Sequence, residues 1–243
     1  MRQNVLIRKI LSPIKLTPLH PQWLVFKDSQ NGSIEIANHA KGIVLDVGAG
    51  EQNIATFLNP DCLYISLDYY KTATEWYKTK PCAFGNAQQL PFADNSVDTV
   101  LLLDVLEHLP KPEQAISEIR RVLRPDGHCI IQVPFLYPLH DAPYDFQRWT
   151  ENGLSIIAEI HHFDVICQSS WGHPLETAAL ITNLGISRTI LQWAKQKNPL
   201  FILAAFLLPI IPLGNSLAWI LAKISIKDNF MPHSYRAIWR KTK

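Results

Sequence analysis

Apolar residues along this chain fall into short unbroken runs, separated by stretches of helical spacing. Gly42-Ile43-Val44-Leu45-Asp46-Val47-Gly48 stops abruptly at a glycine, as a strand buried on both faces does. Cys62–Leu67 followed by Asp68, Ala83–Ala87, Val97–Leu103, His128–Val133 and Phe163–Gln168 repeat the pattern, and Ser234–Arg240 alternates well enough to be a closing seventh strand. Asn53–Leu58, Thr72–Thr79, Pro112–Arg124 and Thr150–Ile160 predict helices between them. The third of these lines up Ala115, Ile116, Ile119, Val122 and Leu123 on one face, with Pro112 in its first turn and Pro125-Asp126-Gly127 as a stop signal. Thr150 suits the N-cap of the fourth. The alternation predicts an α/β fold, a doubly wound, mostly parallel seven-stranded sheet that binds ligands at the carboxyl ends of its strands.

Composition adds one anomaly. Hydrophobic residues make up 47% of the 243 residues, but charged residues only 18%, against a usual value of roughly 25%. The deficit is local, because residues 198–222 contain no charged side chain. The expected organisation is an N-terminal extension (1–40), a core (41–171), an apolar helical insertion (172–229) and the final strand of the core (230–243). A single membrane crossing by 199–222 would separate Ser234–Arg240 from the sheet. Pro209 and Pro212 instead predict two short helices in a hairpin that lies on a membrane or dips into one leaflet. Arg188, Lys195, Lys197, Lys223 and Lys227 are placed to face anionic head groups, and the basic, apolar stretch Val5–Leu19 to join them. A helical cap on the domain, or a dimer interface, is the competing reading. The net charge of +2, without a dense basic run, excludes a nucleic-acid binder. Cys62, Cys82, Cys129 and Cys167 stand singly beside apolar runs, which predicts buried thiols in a reducing cytosol and no metal site. The N-terminus has no long apolar core of a secretory signal.

The chemistry gathers at the strand ends. In Asp46-Val47-Gly48-Ala49-Gly50 the glycines allow a sharp turn and close approach to a flat ligand. Asn53 stands where a dinucleotide fingerprint needs its third glycine, so a phosphate cradle is incomplete. Asp68, 20 residues after Gly48, is placed to accept from ribose hydroxyls. These features alone do not distinguish a nicotinamide dinucleotide from S-adenosylmethionine (SAM). What distinguishes them is Gly85-Asn86-Ala87-Gln88-Gln89-Leu90-Pro91-Phe92-Ala93-Asp94, then Asp104-Val105-Leu106-Glu107-His108-Leu109, then Arg120-Arg121-Val122-Leu123-Arg124-Pro125-Asp126-Gly127. From about Gly42 to Ser170 the chain resembles the class I SAM-dependent methyltransferases, in the branch called type 11, with a Rossmann-like sheet.

The resemblance implies SAM as cofactor. Asp46, Gly48 and Gly50 would line its methionine part, Asp68 would hold the ribose, Asn86 and Ala87 would contact adenine, and Asp104 and Val105 would form the floor beside the sulfonium. Two positions depart from the pattern: Gln52 replaces a glycine, and Asn86 replaces an aspartate. Phe135–Thr150 resembles a segment of methyltransferases associated with bacterial cell-surface polysaccharide and lipid pathways. In it His140 is the candidate general base. Tyr137, Asp145 and Arg148 are candidate substrate ligands, the last two being equally well a structural ion pair. His161-His162 reads as a cationic pair at a helix C-terminus. The expectation is a cytoplasmic enzyme attached to the inner face of a membrane, methylating a hydroxyl of a small or lipid- or glycan-linked acceptor. A catalytically degenerate SAM-fold scaffold at the membrane is the alternative.

Overall fold

The computed structural model describes residues 11–226 and 228–242. It comprises a sheet unit (Asn31–Phe135, Pro143–Ser170 and 235–242) and a helical unit (11–30, Leu136–Ala142 and Trp171–Ser234). The expected contributions of residues 5–10 and of Lys227 to a lipid-facing surface lie outside the described residues.

Seven strands form the sheet: β1 (Ile43–Val47), β2 (Leu63–Asp68), β3 (Ala83–Phe84), β4 (Val97–Leu103), β5 (Leu123–Pro134), β6 (Phe163–Trp171) and β7 (Ser234–Lys241). Their order is β3-β2-β1-β4-β5-β7-β6, and the pairs β1–β2, β1–β4, β2–β3 and β4–β5 are parallel. Alternating side chains build two cores. Leu45, Val47, Val100, Leu102, Ile131, Val133 and Trp239 face the helices Pro112–Val122 and Glu151–Ile160, whose Ile116, Ile119, Leu154 and Ala158 are buried against them. Val44, Leu101, Ile130 and Ile238 point the other way, toward Ile36 of the helix Ser29–His39 and Ile54. The doubly wound expectation is met.

Several local expectations need correction. Asn53–Leu58 is only a 3-10 turn, Asn53–Thr56, and Thr72–Thr79 is a single π-helical stretch, Thr72–Tyr77. β3 spans two residues, not five. The helix Pro112–Val122 ends before Leu123, which already pairs with Val97. The register then jumps so that Thr99 faces His128, and Arg124–Gly127 bulge out with Asp126 at φ +60°. Cys129 is buried and Cys62 half-buried, but Cys82 and Cys167 are exposed, contrary to the expectation of four buried thiols. Burial lowers the pKa of His161 from its usual value, which disfavours a charged imidazole at that one position.

The helical unit centres on the helix Pro174–Lys195, capped by His173 and Glu176 in a capping box. A helical run follows through Pro199–Leu203, Ala204–Leu207 and Ile210–Ile224. The expected hairpin at Pro209 and Pro212 is not formed. Leu208 and Pro209 keep right-handed helical backbone, and Pro212 sits in the first turn of Ile210–Ile224, where its missing N–H leaves no intrahelical bond unmade. The pairing partner of this run is Pro174–Lys195, joined to it by Asn183 Nδ2 donating to Asn215 Oδ1 at 2.9 Å. Asn215 Nδ2 donates in turn to the carbonyls of Pro18 (2.7 Å) and His20 (3.0 Å). Trp23 and Leu24 pack with Ala218, and Lys27 pairs with Glu176 at 3.1 Å.

Candidate active site

The carboxyl ends of β1, β2 and β4 bring the glycine turn, Asp68 and the Asp104 loop together. The N–H groups of Gly48 and Ala49 donate to Leu67 O at 2.8 and 3.1 Å, lashing the turn across the end of β2. Gly48 has φ +76°, and a Cβ there would lie 2.4 Å from a methyl of Val105. Only glycine permits both that backbone and that approach, so the turn and the Asp104–Leu106 floor meet face to face. Gly50, at φ +50°, donates its N–H to Asp68 Oδ2 at 2.9 Å, while Tyr69 N donates to Oδ1 at 2.7 Å. Each carboxylate oxygen keeps a further lone pair for a diol.

Two acids set the electrostatics. Asp46 is 3% exposed, and its Oδ2 accepts from the Tyr64 phenol at 2.6 Å. Burial, reinforced by the charge of Asp68, pushes its pKa up to about 6. Burial also raises that of Asp68, partly offset by the two backbone donors. A ligand bearing positive charge beside them would relieve both.

The remaining loops are held from behind. Arg121 donates to Phe92 O (2.8 Å) and Leu90 O (3.0 Å), and Glu118 accepts from Leu90 N (2.8 Å), fixing the turn after Asn86-Ala87. Asn86 Oδ1 accepts from Gln88 N at 2.9 Å, a turn that an aspartate would form equally well. Asp104, at φ +56°, is gripped twice by Gln132, whose carbonyl accepts from Asp104 N and whose amide donates to Asp104 Oδ2, both at 2.9 Å. Gln132 Oε1 accepts in turn from Arg236 of β7 at 2.7 Å, and Arg236 pairs with Glu35 at 3.0 Å.

The segment after β5 divides. Phe146 N donates to Glu107 O (2.9 Å), His108 Nδ1 meets Tyr144 O (2.7 Å) and Gln147 donates to Leu109 O (3.0 Å). Pro143–Thr150 is thus tied to the floor loop. Within it Arg148 grips Asp145 through two bonds of 2.5 and 2.8 Å, the structural ion pair considered for these residues. Tyr137 and His140 belong to the helical unit, where their rings meet edge to face at 5.4 Å. There His140 Nδ1 lies 3.3 Å from Pro138 O, and the Tyr137 hydroxyl is bonded by Gln22. Sequence reasoning missed Tyr64, Tyr69, Tyr70 and Phe84. The last three are exposed aromatic rings beside Asp68 and Asn86, with Tyr70 and Phe84 in edge contact at 5.2 Å. A tyrosine pair directly after a strand-end acid was the available signal.

Comparison with known proteins agrees with this geometry. Residues 45–131 match the family model described as methyltransferase domain. An uncharacterized protein of Methanocaldococcus jannaschii is 35% identical over 123 residues, 49% of this chain and 53% of its own length. An uncharacterized methyltransferase of Mycobacterium tuberculosis is 35% identical over 111 residues, 41% of this chain and 44% of its own. The chain therefore spans about half the length of the curated relatives it matches. A SAM-dependent methyltransferase structure from Archaeoglobus fulgidus superposes with a TM-score of 0.55 at 15% identity, covering 90% of this chain and 94% of that one, a likeness of fold alone. Residues 45–131 form a methyltransferase domain, and SAM is the cofactor of that domain.

Proposed function

We propose that this protein transfers the methyl group of SAM to a hydroxyl of a small or lipid- or glycan-linked acceptor, at the cytoplasmic face of a membrane. The observation that carries the methyl-transfer reading is the bond from Gly50 N to Asp68, which unites turn and diol acceptor in one preformed cradle. When bound, SAM supplies an electrophilic methyl carbon on a positively charged sulfur. Asp68 would hold its ribose, Asp46 would offset its positive charge, and Val105 with Leu106 would screen the floor from water. The acceptor hydroxyl would be the nucleophile toward that carbon, and His140 would be the base that takes its proton. Alignment supplies most of the acceleration such a reaction needs.

The degenerate-scaffold alternative draws on Gln52 and Asn86. Gln52 nevertheless holds the left-handed backbone (φ 58°) that a glycine would take, and Asn86 keeps its turn, so neither loop is lost. The membrane and lipid part of the proposal is supported by the exposed apolar residues of the helical unit.

Calorimetric titration with SAM and S-adenosylhomocysteine tests the proposal. Micromolar binding of both is expected, weakened at least tenfold by Asp68→Ala. His140→Ala is expected to keep that affinity and lower turnover on lipid and glycan extracts. A folded wild type that binds neither ligand overturns the enzyme reading, and normal turnover by His140→Ala removes the base.

A further inference from the structure

The helical run 199–224 is inside out. Its buried positions are Ala204, Ile211, Asn215 and Ala218, which include two alanines and an amide. Its large apolar side chains face outward: Ile202, Phe206, Leu213, Leu217, Ile220 and Ile224 are 51–77% exposed. Steps of three, four and seven place them on one face, along about 33 Å of helix at 1.5 Å per residue. No soluble surface gains from such a stripe, so something covers it.

The surrounding charge says what. From Thr177 to Lys227 the sequence contains no aspartate or glutamate, while Arg188, Lys195, Lys197, Lys223 and Lys227 give it five positive charges. Lys223 lies 3.8 Å over the Trp219 ring, a tryptophan–lysine pairing suited to the head-group level. At the other end an apolar cleft of about 530 Å³ opens among Trp193, Lys197, Pro199, Phe201 and Ile202. A second copy of the chain would set this acid-free surface against itself, cation on cation. The run is long and apolar enough to cross a bilayer. Its inner face, however, is committed to Pro174–Lys195 through the Asn183–Asn215 bond, and Lys195 and Lys197 stand at the connection between the two helices.

We infer that this face docks on an anionic bilayer, with the run lying in the head-group plane, its apolar stripe toward the acyl chains and its cations on lipid phosphates. The inference deepens the membrane part of the proposed function and does not depend on methyl transfer.

The test is co-sedimentation of the full chain with vesicles of phosphatidylcholine alone and of phosphatidylcholine with one-third phosphatidylglycerol. Binding is expected mainly to the anionic vesicles and should fall with salt. Replacing Lys195, Lys197 and Lys223 by glutamine should weaken it about fivefold per cation. The triple variant Phe206→Ser, Leu213→Ser, Leu217→Ser should stay in the supernatant while binding S-adenosylhomocysteine as the wild type does, which separates loss of docking from loss of fold. Equal binding to both vesicle types, or none to either, overturns the inference. So does retention after alkaline carbonate washing, which marks a spanning helix. A dimer abolished by the serine variant, without vesicle binding, assigns the stripe to a second copy.

Discussion

A carboxylate sealed from water beside a second carboxylate resists ionisation, and Asp46 is so placed at the end of β1. Its pKa is about 6 in the folded chain, against an ordinary 3.8. Between these values the folded state holds a proton that the unfolded state has released. Stability therefore falls as pH rises from about 4 to 6, by about 3 kcal/mol in order of magnitude. Urea denaturation should show Asp46→Asn gaining on the wild type across that window and holding the gain above it. A parallel pH dependence in both proteins would remove the argument. Gln52 is a second residue out of its preferred range, since left-handed backbone disfavours a side chain by roughly 1–2 kcal/mol. Gln52→Gly should leave thermal stability equal or higher, and Gln52→Val should lower it by about 1 kcal/mol or more. The sequence shows glutamine where the family pattern has glycine. That the backbone path survives the replacement is a fact of φ, which no residue name discloses. The 46–50 turn, Asp68 and the Asp104 loop were legible because glycines and acids stand at strand ends. The Asp145–Arg148 choice was not, because one spacing serves both a ligand pair and an ion pair.

At the scale of elements, legibility follows local pattern. The helix Pro112–Val122 announces itself by the periodicity of Ala115, Ile116, Ile119 and Val122, all buried against the sheet. Ile119→Ala should cost about 2–5 kcal/mol in urea denaturation, with the SAM loops unaltered in position because Arg121 and Glu118 remain to hold Leu90 and Phe92. A loss below 1 kcal/mol would show that the site had collapsed around the gap. The end of this helix was misread for a reason that lies far away in sequence. Leu123 is drawn into extended backbone by pairing with Val97, and its carbonyl takes a bond from Lys241 Nζ at 2.6 Å. The prolines in 199–224 misled in the opposite sense. Proline breaks a helix in its interior, where it removes a bond and its ring meets a carbonyl one turn back, whereas Pro212 falls in a first turn.

For the whole molecule, alternation of strand and helix was enough to give the doubly wound α/β class. It was not enough to give the place of the last strand. β7 enters between β5 and β6, so β6 joins the sheet only through it. That position is fixed by partners scattered along the chain: Arg236 reaches Gln132 and Glu35, Trp239 is fully buried and lies 5.6 Å from Phe163, and Arg240 meets Asp164 at 2.8 Å. No window of sequence contains them all, which is why the alternation of Ser234–Arg240 announced a strand without saying where it belongs.

The same strand order governs how the chain emerges from the ribosome. β6 is translated well before β7, and the whole of Trp171–Ser234 lies between the end of one and the body of the other. At ordinary elongation rates the nascent sheet waits roughly 3–13 s with β5 uncovered along one edge and β6 without a neighbour. During that wait the exposed ladder edge invites pairing with other chains. The segment translated in the interval is also the one that presents its apolar side chains outward, so chaperone demand falls on both at once.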